Sequence, residues 1–330
     1  MNPNREGCSL PDERAVLIGE RVGGVVAVES AQSPSGDSPF AYQVGKTPGT
    51  REMKALVLLA SFRYLTRFQL EEFLFDARPE RLGPHEVMTR RVLKRLQDER
   101  LVTAHPRVVG GVAGGSGRTV YSPNAAGLKI VRSFCPGLPA RESGSRRPFL
   151  LQHSLATAEV ALAFQRSARE LGHQLVEWEC DWSTAEQFGA GAVVPDARLV
   201  YTTAEYELAA FVEIDLGTER TRYFGEKLRR YIELWRGGRW RARLVSWPLV
   251  LAVAPDERRA LTLGRVGEAV LSTADGAGAE VEIWIGEAER VNADPLGPIW
   301  HVVGRGSSYA LLPPASAPPT QEGPPRGDQR

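Results

Sequence analysis

The hydrophobic pattern of residues 52–134 predicts three helices, a β-hairpin and a closing helix. Residues 52–63 form an apolar helix, and a Thr-x-x-Gln capping box at Thr66 opens a second, short helix. A third helix covers residues 84–99. Its apolar side chains recur at helical spacing on one face: Met88, Val92, Leu93 and Leu96. Two strands then flank a Gly-rich turn, and a last helix covers residues 124–134.

This order of elements is typical of a winged helix, in which the third helix enters the major groove and the hairpin contacts the DNA backbone. Basic side chains of the third helix project away from its apolar face. The predicted DNA contacts come from this helix and from the hairpin: Arg90, Arg91, Lys94, Arg95, Arg107 and Arg118. A solvated helix face is the alternative interpretation, because Arg and Lys are common on such faces.

The second patterned region, residues 153–287, alternates helices and strands in the order αβββαβαβ. A helix over 153–171 precedes three strands, of which the second covers 193–201 and the third 206–216. A long amphipathic helix over 218–235 follows. The mixture predicts an α+β or α/β fold, with a central sheet covered by helices.

Breaker-rich stretches divide the chain into five segments. Residues 1–48 are predicted to be a disordered or weakly ordered arm, and residues 49–135 a winged-helix domain. Residues 136–148 are a linker, residues 149–312 an α/β domain, and residues 313–330 a Pro-rich disordered tail.

The formal net charge of +1 hides an uneven distribution. Residues 51–150 contain 18 Lys or Arg and 9 Asp or Glu, whereas residues 151–330 contain 19 and 25. The basic excess of the first region favours a polyanionic partner such as double-stranded DNA. For the acidic region, two interpretations stay open: a solvated surface, or carboxylates gathered around a divalent cation.

Other features exclude whole classes of function. The three cysteines, Cys8, Cys135 and Cys180, lie far apart, which argues against a CxxC metal site or a disulfide framework. No apolar run approaches the roughly 18 residues that a membrane span requires. The chain does not open with the basic and apolar stretches of a secretion signal. A cytoplasmic location is therefore expected.

Carboxylates on the predicted strands are the main candidates for chemistry. Glu213 and Asp215 are two residues apart and should point to one face of a buried strand. Asp196 follows Pro195 inside the second predicted strand, where a proline indicates an edge or a bulge. Buried carboxylates require a compensating cation or a basic side chain. Oxygen ligands favour Mg²⁺ or Mn²⁺.

Together, Asp196, Glu213, Asp215 and Lys227 resemble the core of the PD-(D/E)xK nucleases. This resemblance implies that all four are catalytic, with the three carboxylates binding the metal and the lysine orienting the attacking water. Glu159, on the preceding helix, would add a further metal ligand. The chain departs from the pattern at the motif lysine, where Asp215 stands, so Lys227 would have to act from the following helix.

Ion pairing is the alternative explanation of the same residues. The two strand carboxylates could be neutralised by Arg222, Lys227 or Arg230, because buried ion pairs produce the same composition.

A longer resemblance covers residues 52–260. Its most specific part is the stretch 213–219, Glu-x-Asp-x-Gly-Thr-Glu, followed by Lys227 and Tyr231. Other matching segments are RRVLKRLQDERLVTA, YSPNAAGL and LQHSLATAEVALAF. The chain is similar to the replication-relaxation family of bacterial plasmids and mobile elements. This implies a winged helix joined to a nuclease-like domain, with plasmid replication or relaxation proteins as further partners.

Three functions are compatible with these observations. The first is a DNA-binding protein of replication or relaxation whose second domain is an inactive scaffold or a dimerisation surface. The second is a Mg²⁺-dependent DNA nickase or endonuclease. The third and weakest is a winged-helix transcription regulator, for which the sequence offers no recognisable effector pocket. Winged helices often act as dimers, so analogy suggests a homodimer.

Overall fold

The computed structural model describes residues 51–77, 83–105, 119–136, 138, 148–181, 187, 193–274 and 280–312, and the backbone of strand β1 (Val25–Ala27). These residues form helices and two sheets, which confirms the predicted α+β class. No helix among them has the length and apolar character that crossing a membrane requires.

Four helices and a small sheet make up what we call the helical module. The helices are α1 (Arg51–Phe62), α2 (Arg67–Phe75), α3 (Pro84–Asp98) and α4 (Ala125–Phe134). The strands are β2 (Leu65–Thr66), β3 (Val102–His105) and β4 (Val120–Pro123). They pair antiparallel in the order β2–β4–β3.

Local sequence signals set the limits of these helices. Thr66 caps α2 through its side chain, and the side chain of Gln69 accepts from the backbone N–H of Thr66, so the predicted capping box is confirmed. Asn124 caps α4 in the same way, by accepting from the N–H of Gly127. Helix α3 buries Val92, Leu93 and Leu96 on the face that the periodicity indicated.

A larger sheet follows the helical module in the chain. Its helices are α5 (Pro148–Leu171), α6 (Thr221–Gly237), α7 (Glu257–Ser272) and α8 (Ala288–Ala293), and a 3₁₀ turn spans Arg239–Ala242. Its strands are β5 (Gln174–Cys180), β6 (Ala197–Thr202), β7 (Tyr206–Ile214), β8 (Leu249–Ala254), β9 (Ile283–Glu287), β10 (Trp300–Val302) and β11 (Ser308–Tyr309).

The strand order of the large sheet is β11–β10–β9–β8–β7–β6–β5. Strands β7, β8 and β9 run parallel, and the other neighbours pair antiparallel. Strand β1, which lies within the predicted arm, pairs with the beginning of β7. The centre of the sheet is therefore parallel, as expected where helices cross between strands.

The two faces of this sheet carry different helices. Alternate residues of β7, such as Ala210 and Val212, belong to the core that includes α5. Phe211, between them, belongs to the core formed by α6 and α7. Helix α5 also packs against α1 and α2, so one continuous apolar core runs from the helical module through α5 to the sheet.

Polar contacts reinforce the junction between the helical module and α5. Gln69 donates to the carboxylate of Glu159 at 2.8 Å and to the carbonyl of Leu155 at 3.0 Å. Arg166 of α5 pairs with Glu72 of α2 at 3.1 Å. Both members of that ion pair are largely buried, so α2 and α5 are held in one register.

Two strand predictions were wrong in their limits. Strand β6 begins at Ala197, so Pro195 and Asp196 precede the strand instead of lying within it. Proline has no N–H for the ladder, and β6 lies between two neighbours, where such a donor is needed. Strand β7 ends at Ile214, which leaves Asp215 just beyond it.

Gly127 provides a test of the packing of α4. A Cβ atom at this position would lie 2.4 Å from the backbone oxygen of Leu101, which cannot move aside as a side chain does. We expect Gly127→Ala to lower the free energy of unfolding by about 1–3 kcal/mol, measured by urea denaturation. Gly264→Ala is the matched control, because a Cβ there meets no atom within 4 Å. A helical alanine at that site should be neutral or stabilising by up to about 1 kcal/mol. Equal effects of the two substitutions would contradict this packing.

Candidate functional site

Asp196 lies at the end of the large sheet, where its side chain accepts a backbone hydrogen bond from β7 that strand β6 does not accept. The ladder between β6 and β7 begins at the pair Ala197 and Val212, so the N–H of Ile214 extends past β6. The Asp196 carboxylate accepts from this N–H at 2.7 Å. The backbone of β7 therefore fixes the position of one carboxylate oxygen.

Glu213 lies beside Asp196 and is buried, with 5% relative exposure. Its side chain points to the face of the sheet that α6 covers. There it accepts hydrogen bonds from the ammonium of Lys227 and the hydroxyl of Tyr231, which are one helical turn apart on α6. Lys227 Nζ is also 3.9 Å from Asp196 Oδ1. One ammonium is thus shared by two carboxylates.

His153 reaches the Asp196 carboxylate from the other side of the sheet. Its Nε2 is 3.1 Å from Asp196 Oδ2, and His153 belongs to the first turns of α5. We call His153, Asp196, Glu213, Lys227 and Tyr231 the acid cluster. It joins α5, the start of β6, the end of β7 and α6 at one end of the sheet.

Burial and charge act in opposite directions on the pKa values of the cluster. Burial raises the pKa of Glu213 to about 7, although the positive charge of Lys227 opposes this rise. Burial also disfavours the ionised form of Asp196, but Lys227 and His153 outweigh it and hold the pKa of Asp196 below its usual value. The hydrogen bond and charge of Asp196 overcome burial at His153 and raise its pKa. Near pH 7 the cluster therefore exchanges a proton at Glu213.

Part of the cluster is accessible. A cleft opens between the end of α1, the start of α5 and the end of β5. Its polar lining includes Ser61, Arg63, His153, Ser154, Thr157, Asp181 and Asp196. The side chains of Asp196 and His153 retain 20% and 19% exposure. A small polar molecule or one phosphate group would meet Asp196 and His153 before the buried Glu213.

Asp215 lies apart from the acid cluster. Its two oxygens accept from Nε and Nη2 of Arg259 on α7, at 2.9 and 2.8 Å. The N–H of Gly217 donates to the same carboxylate at 2.6 Å. Both strand carboxylates are therefore ion-paired, Glu213 with Lys227 of α6 and Asp215 with Arg259 of α7.

Of the predicted catalytic residues, the structure thus brings Asp196, Glu213 and Lys227 together, whereas Asp215, just beyond β7, pairs with Arg259 of α7. Glu159, the predicted additional ligand, accepts from Gln69 of the helical module. Arg222 and Arg230, the other ion-pair partners considered, are exposed on α6. The roles of all these residues in catalysis stay predictions.

The carboxylate oxygens of the acid cluster do not form a Mg²⁺ site in the described structure. This ion prefers about six oxygen ligands in octahedral geometry. Both oxygens of Glu213 accept from Lys227 and Tyr231, and Asp196 Oδ2 accepts from Ile214. Within the described ranges, no group of three or more His, Cys, Asp or Glu side chains is placed to hold a metal ion. The prediction of Mg²⁺ or Mn²⁺ binding stays a prediction.

A second candidate surface is the outer face of α3. Arg90, Arg91, Lys94 and Arg95 are exposed there, opposite the buried apolar face. Arg90 pairs with Glu86 at 2.7 Å, and Lys94 with Asp98 at 3.0 Å. Arg107 and Arg118, the predicted hairpin contacts, lie outside the described residues.

Two comparisons found no similar protein, and a third found a family. No curated protein and no solved structure matches the chain. The model of the replication-relaxation family matches residues 56–250, which is more than half of the chain. The chain belongs to the replication-relaxation family. The matched region begins in α1 and ends in β8, so it contains α3 and the complete acid cluster.

Sequence reasoning missed two contacts of the site. The sequence placed His153 at the start of a predicted helix, and only the packing of α5 against the sheet brings it to Asp196. No sequence pattern linked Arg259 to Asp215, because the two residues lie 44 positions apart in the chain. The i, i+4 spacing of Lys227 and Tyr231 did place both on one helix face.

The raised pKa of Glu213 predicts a pH dependence of stability. In the unfolded chain Glu213 ionises near its ordinary value of 4.5, and in the folded protein it does so at about 7. Between these values the folded state binds more protons, so the contribution of Glu213 to stability falls as pH rises. We expect the free energy of unfolding of the wild type to decrease relative to Glu213→Gln from about pH 4.5 to 7 and then to stay level. Urea denaturation across this range measures the difference.

Glu226→Gln, on the exposed face of α6, is the control and should follow the wild type at every pH. A difference between wild type and Glu213→Gln that does not change with pH would contradict the proton uptake at this residue.

Proposed function

We propose that this protein binds double-stranded DNA through the outer face of α3 and acts in the replication or relaxation of plasmid or mobile-element DNA. Membership of the replication-relaxation family supports the process. The DNA contact rests on the helical module. Proteins that replicate or relax plasmid DNA are the expected further partners.

The topology of the helical module supports a winged-helix interpretation. Helix α1, strand β2, helices α2 and α3 and strands β3 and β4 follow one another in the chain. Strand β4 is central in the three-stranded sheet, with β2 and β3 on either side. In a winged helix this arrangement presents the third helix to the major groove and the loop between the last two strands to the flanking backbone.

One observation carries the proposal, namely the separation of charge and packing on α3. Its inner face contacts α1 and α2, and its outer face presents four basic side chains. The side chains of Arg90 and Lys94 are 66% and 77% exposed. The Lys94–Asp98 pair is solvated and worth at most about 1 kcal/mol, so a phosphate can displace that carboxylate. Glu86 is buried, but it keeps Arg67 at 3.4 Å as a second partner when Arg90 turns to a phosphate. Val87, 44% exposed, adds an apolar group that suits a thymine methyl.

The position of α5 leaves this face open. Helix α5 packs on α1 and α2 and the large sheet lies beyond α5, whereas the four basic side chains of α3 stay exposed in the described structure. This face is therefore free to contact a duplex.

Removing two basic groups from α3 tests this surface. We expect Arg90→Ala combined with Lys94→Ala to weaken binding of a labelled duplex and to reduce the slope of log K against log salt by about 1.8, if each residue contacts one phosphate. Fluorescence anisotropy at several salt concentrations measures both. The melting temperature should change little, since the two residues are exposed.

Arg258→Ala combined with Arg265→Ala is the matched control. It removes the same charge from exposed positions of α7 and should leave the slope unchanged. A large thermal loss in the α3 variant would mean that the two residues are structural. Equal slopes in the two variants would show that α3 is not the DNA contact.

Phosphodiester hydrolysis is the second candidate function, and the convergence of Asp196, Glu213 and Lys227 favours it. In hydrolysis a water oxygen bonds to phosphorus while the bond to a sugar oxygen breaks. The water loses a proton to a base, and the leaving oxygen gains one. Asp196 and His153 are accessible candidates for that base, and the Lys227 ammonium could stabilise charge on the phosphate.

Nicking of supercoiled plasmid tests this candidate. If the cluster is catalytic, wild type with Mg²⁺ or Mn²⁺ should convert supercoiled to open-circular DNA, and Glu213→Gln should slow the reaction by about 100-fold or more. Asp215→Asn serves as the comparison, because Asp215 pairs with Arg259 outside the cluster. Equal nicking by wild type and Glu213→Gln would assign the activity to a contaminant. Binding without nicking under either metal would leave DNA binding as the function.

A further inference from the structure

The second half of the chain is acidic in total but contains a basic segment. Residues 221–243 contain eight Lys or Arg and two Glu. The remainder of residues 151–330 contains 11 Lys or Arg and 23 Asp or Glu. A basic segment within an acidic region is not explained by composition, and it coincides with α6 and the 3₁₀ turn that follows.

Helix α6 separates its charges from its packing. Leu228, Tyr231 and Ile232 are buried against the sheet. Four arginines lie on the opposite, exposed face: Arg222, Arg229, Arg230 and Arg236. The turn that follows adds exposed Arg239, Arg241 and Arg243. At a rise of 1.5 Å per residue, the row from Arg222 to Arg236 is about 21 Å long, which equals about six phosphate spacings along one DNA strand.

The arginines of α6 differ from the basic residues of α3 in their pairing. On α3, Arg90, Lys94 and Arg95 each have a carboxylate partner within 4.0 Å. Of the described residues, none places a carboxylate that close to Arg229, Arg230 or Arg236. Glu226 and Glu233 lie on the same exposed face without a direct ion pair to these arginines, so a polyanion would bind there without displacing such a pair.

Aromatic side chains orient the arginines at both ends of the row. The Arg222 guanidinium lies 4.8 Å from the ring centre of Tyr223 and donates to its hydroxyl at 2.9 Å. The Arg241 guanidinium lies 4.5 Å from the ring centre of Trp240. Stacking restricts these long side chains, which reduces the entropy lost when they bind a phosphate.

The α6 surface lies on the opposite side of the molecule from α3. The layers follow one another as α3, then α1 and α2, then α5, then the large sheet, then α6 and α7. Neighbouring layers are about 10 Å apart, so α3 and α6 lie on opposite sides of the large sheet with several layers between them. One straight duplex cannot lie along both faces.

We propose that the exposed face of α6 and the 3₁₀ turn form a second binding surface for the phosphate backbone of double-stranded DNA, so that one molecule holds two DNA segments. The occupant is a duplex because the arginines extend about 21 Å along one rigid helix, and the aromatic rings at the ends of the row already stack on arginine instead of being free for bases. The bridging function rests on the proposed contact of α3, whereas the α6 surface itself does not.

The test compares three variants that each remove two positive charges. Arg229→Ala with Arg236→Ala removes residues seven positions apart on α6. Arg258→Ala with Arg265→Ala removes residues seven positions apart on α7, which packs on the same face of the sheet and has as many acidic as basic residues over 256–272. The third variant is the α3 double substitution described above.

Duplex binding by fluorescence anisotropy gives the first measurement. The α6 substitutions should reduce the salt slope by about 1.8, alone and in the background of the α3 variant, whereas the α7 substitutions should leave it unchanged. Equal slopes for the α6 and α7 variants would overturn the proposal. A loss of slope in the α6 variant together with an unaffected α3 variant would instead support the α6 surface and reject the proposed contact of α3.

Bridging gives the second measurement. A duplex fixed on beads should retain a second, labelled duplex in the presence of wild type, and the α6 variant should lower this retention at least tenfold. Retention that persists in the α6 variant would overturn the two-segment arrangement.

Unlabelled duplex should compete for the α6 surface in the α3 variant. Competition by single-stranded DNA of equal length but not by duplex would overturn the choice of occupant.

Discussion

Helix α5 is buried on two sides, and the arrangement of the whole molecule depends on this double burial. One side packs against α1 and α2, and the other covers the large sheet. Alanines such as Ala158 and Ala161 are fully buried and allow both neighbours to approach closely. Burial on both sides removes the apolar surface of α5 from water, which contributes about 25 cal/mol per Å² to the stability of the fold. The helical module is thereby fixed relative to the sheet instead of being attached by a free linker.

The same helix connects packing with chemistry. Its first turns bring His153 to Asp196, and its middle holds Glu159 against Gln69 of α2. Asp196 in turn accepts from the backbone of β7, next to Glu213. Contacts of α5 therefore join the helical module to the acid cluster.

The acid cluster is a buried ion network with one partly open side. Such networks are costly to desolvate, and they persist only where every charged group has a partner. The Lys227 ammonium contacts both carboxylates, Tyr231 donates to Glu213, and His153 contacts Asp196. The proton that Glu213 exchanges near pH 7 makes the network sensitive to conditions in the physiological range. Whether or not it is catalytic, the network ties α5, α6 and β7 to one end of the sheet.

Periodicity and capping were sufficient to predict α2, α3, the mixed α/β region and the basic face of α3, because these depend on local spacing. The sequence also indicated that Glu213 needs a basic partner and that Lys227 was available. It misplaced the start of β6, since the ladder with β7 decides where a strand begins. Only the tertiary structure decided that Asp215 pairs with Arg259, that His153 meets Asp196, and that the basic faces of α3 and α6 lie on opposite sides. These results depend on contacts between segments distant in the chain, and the burial of α5 between two layers sets those contacts.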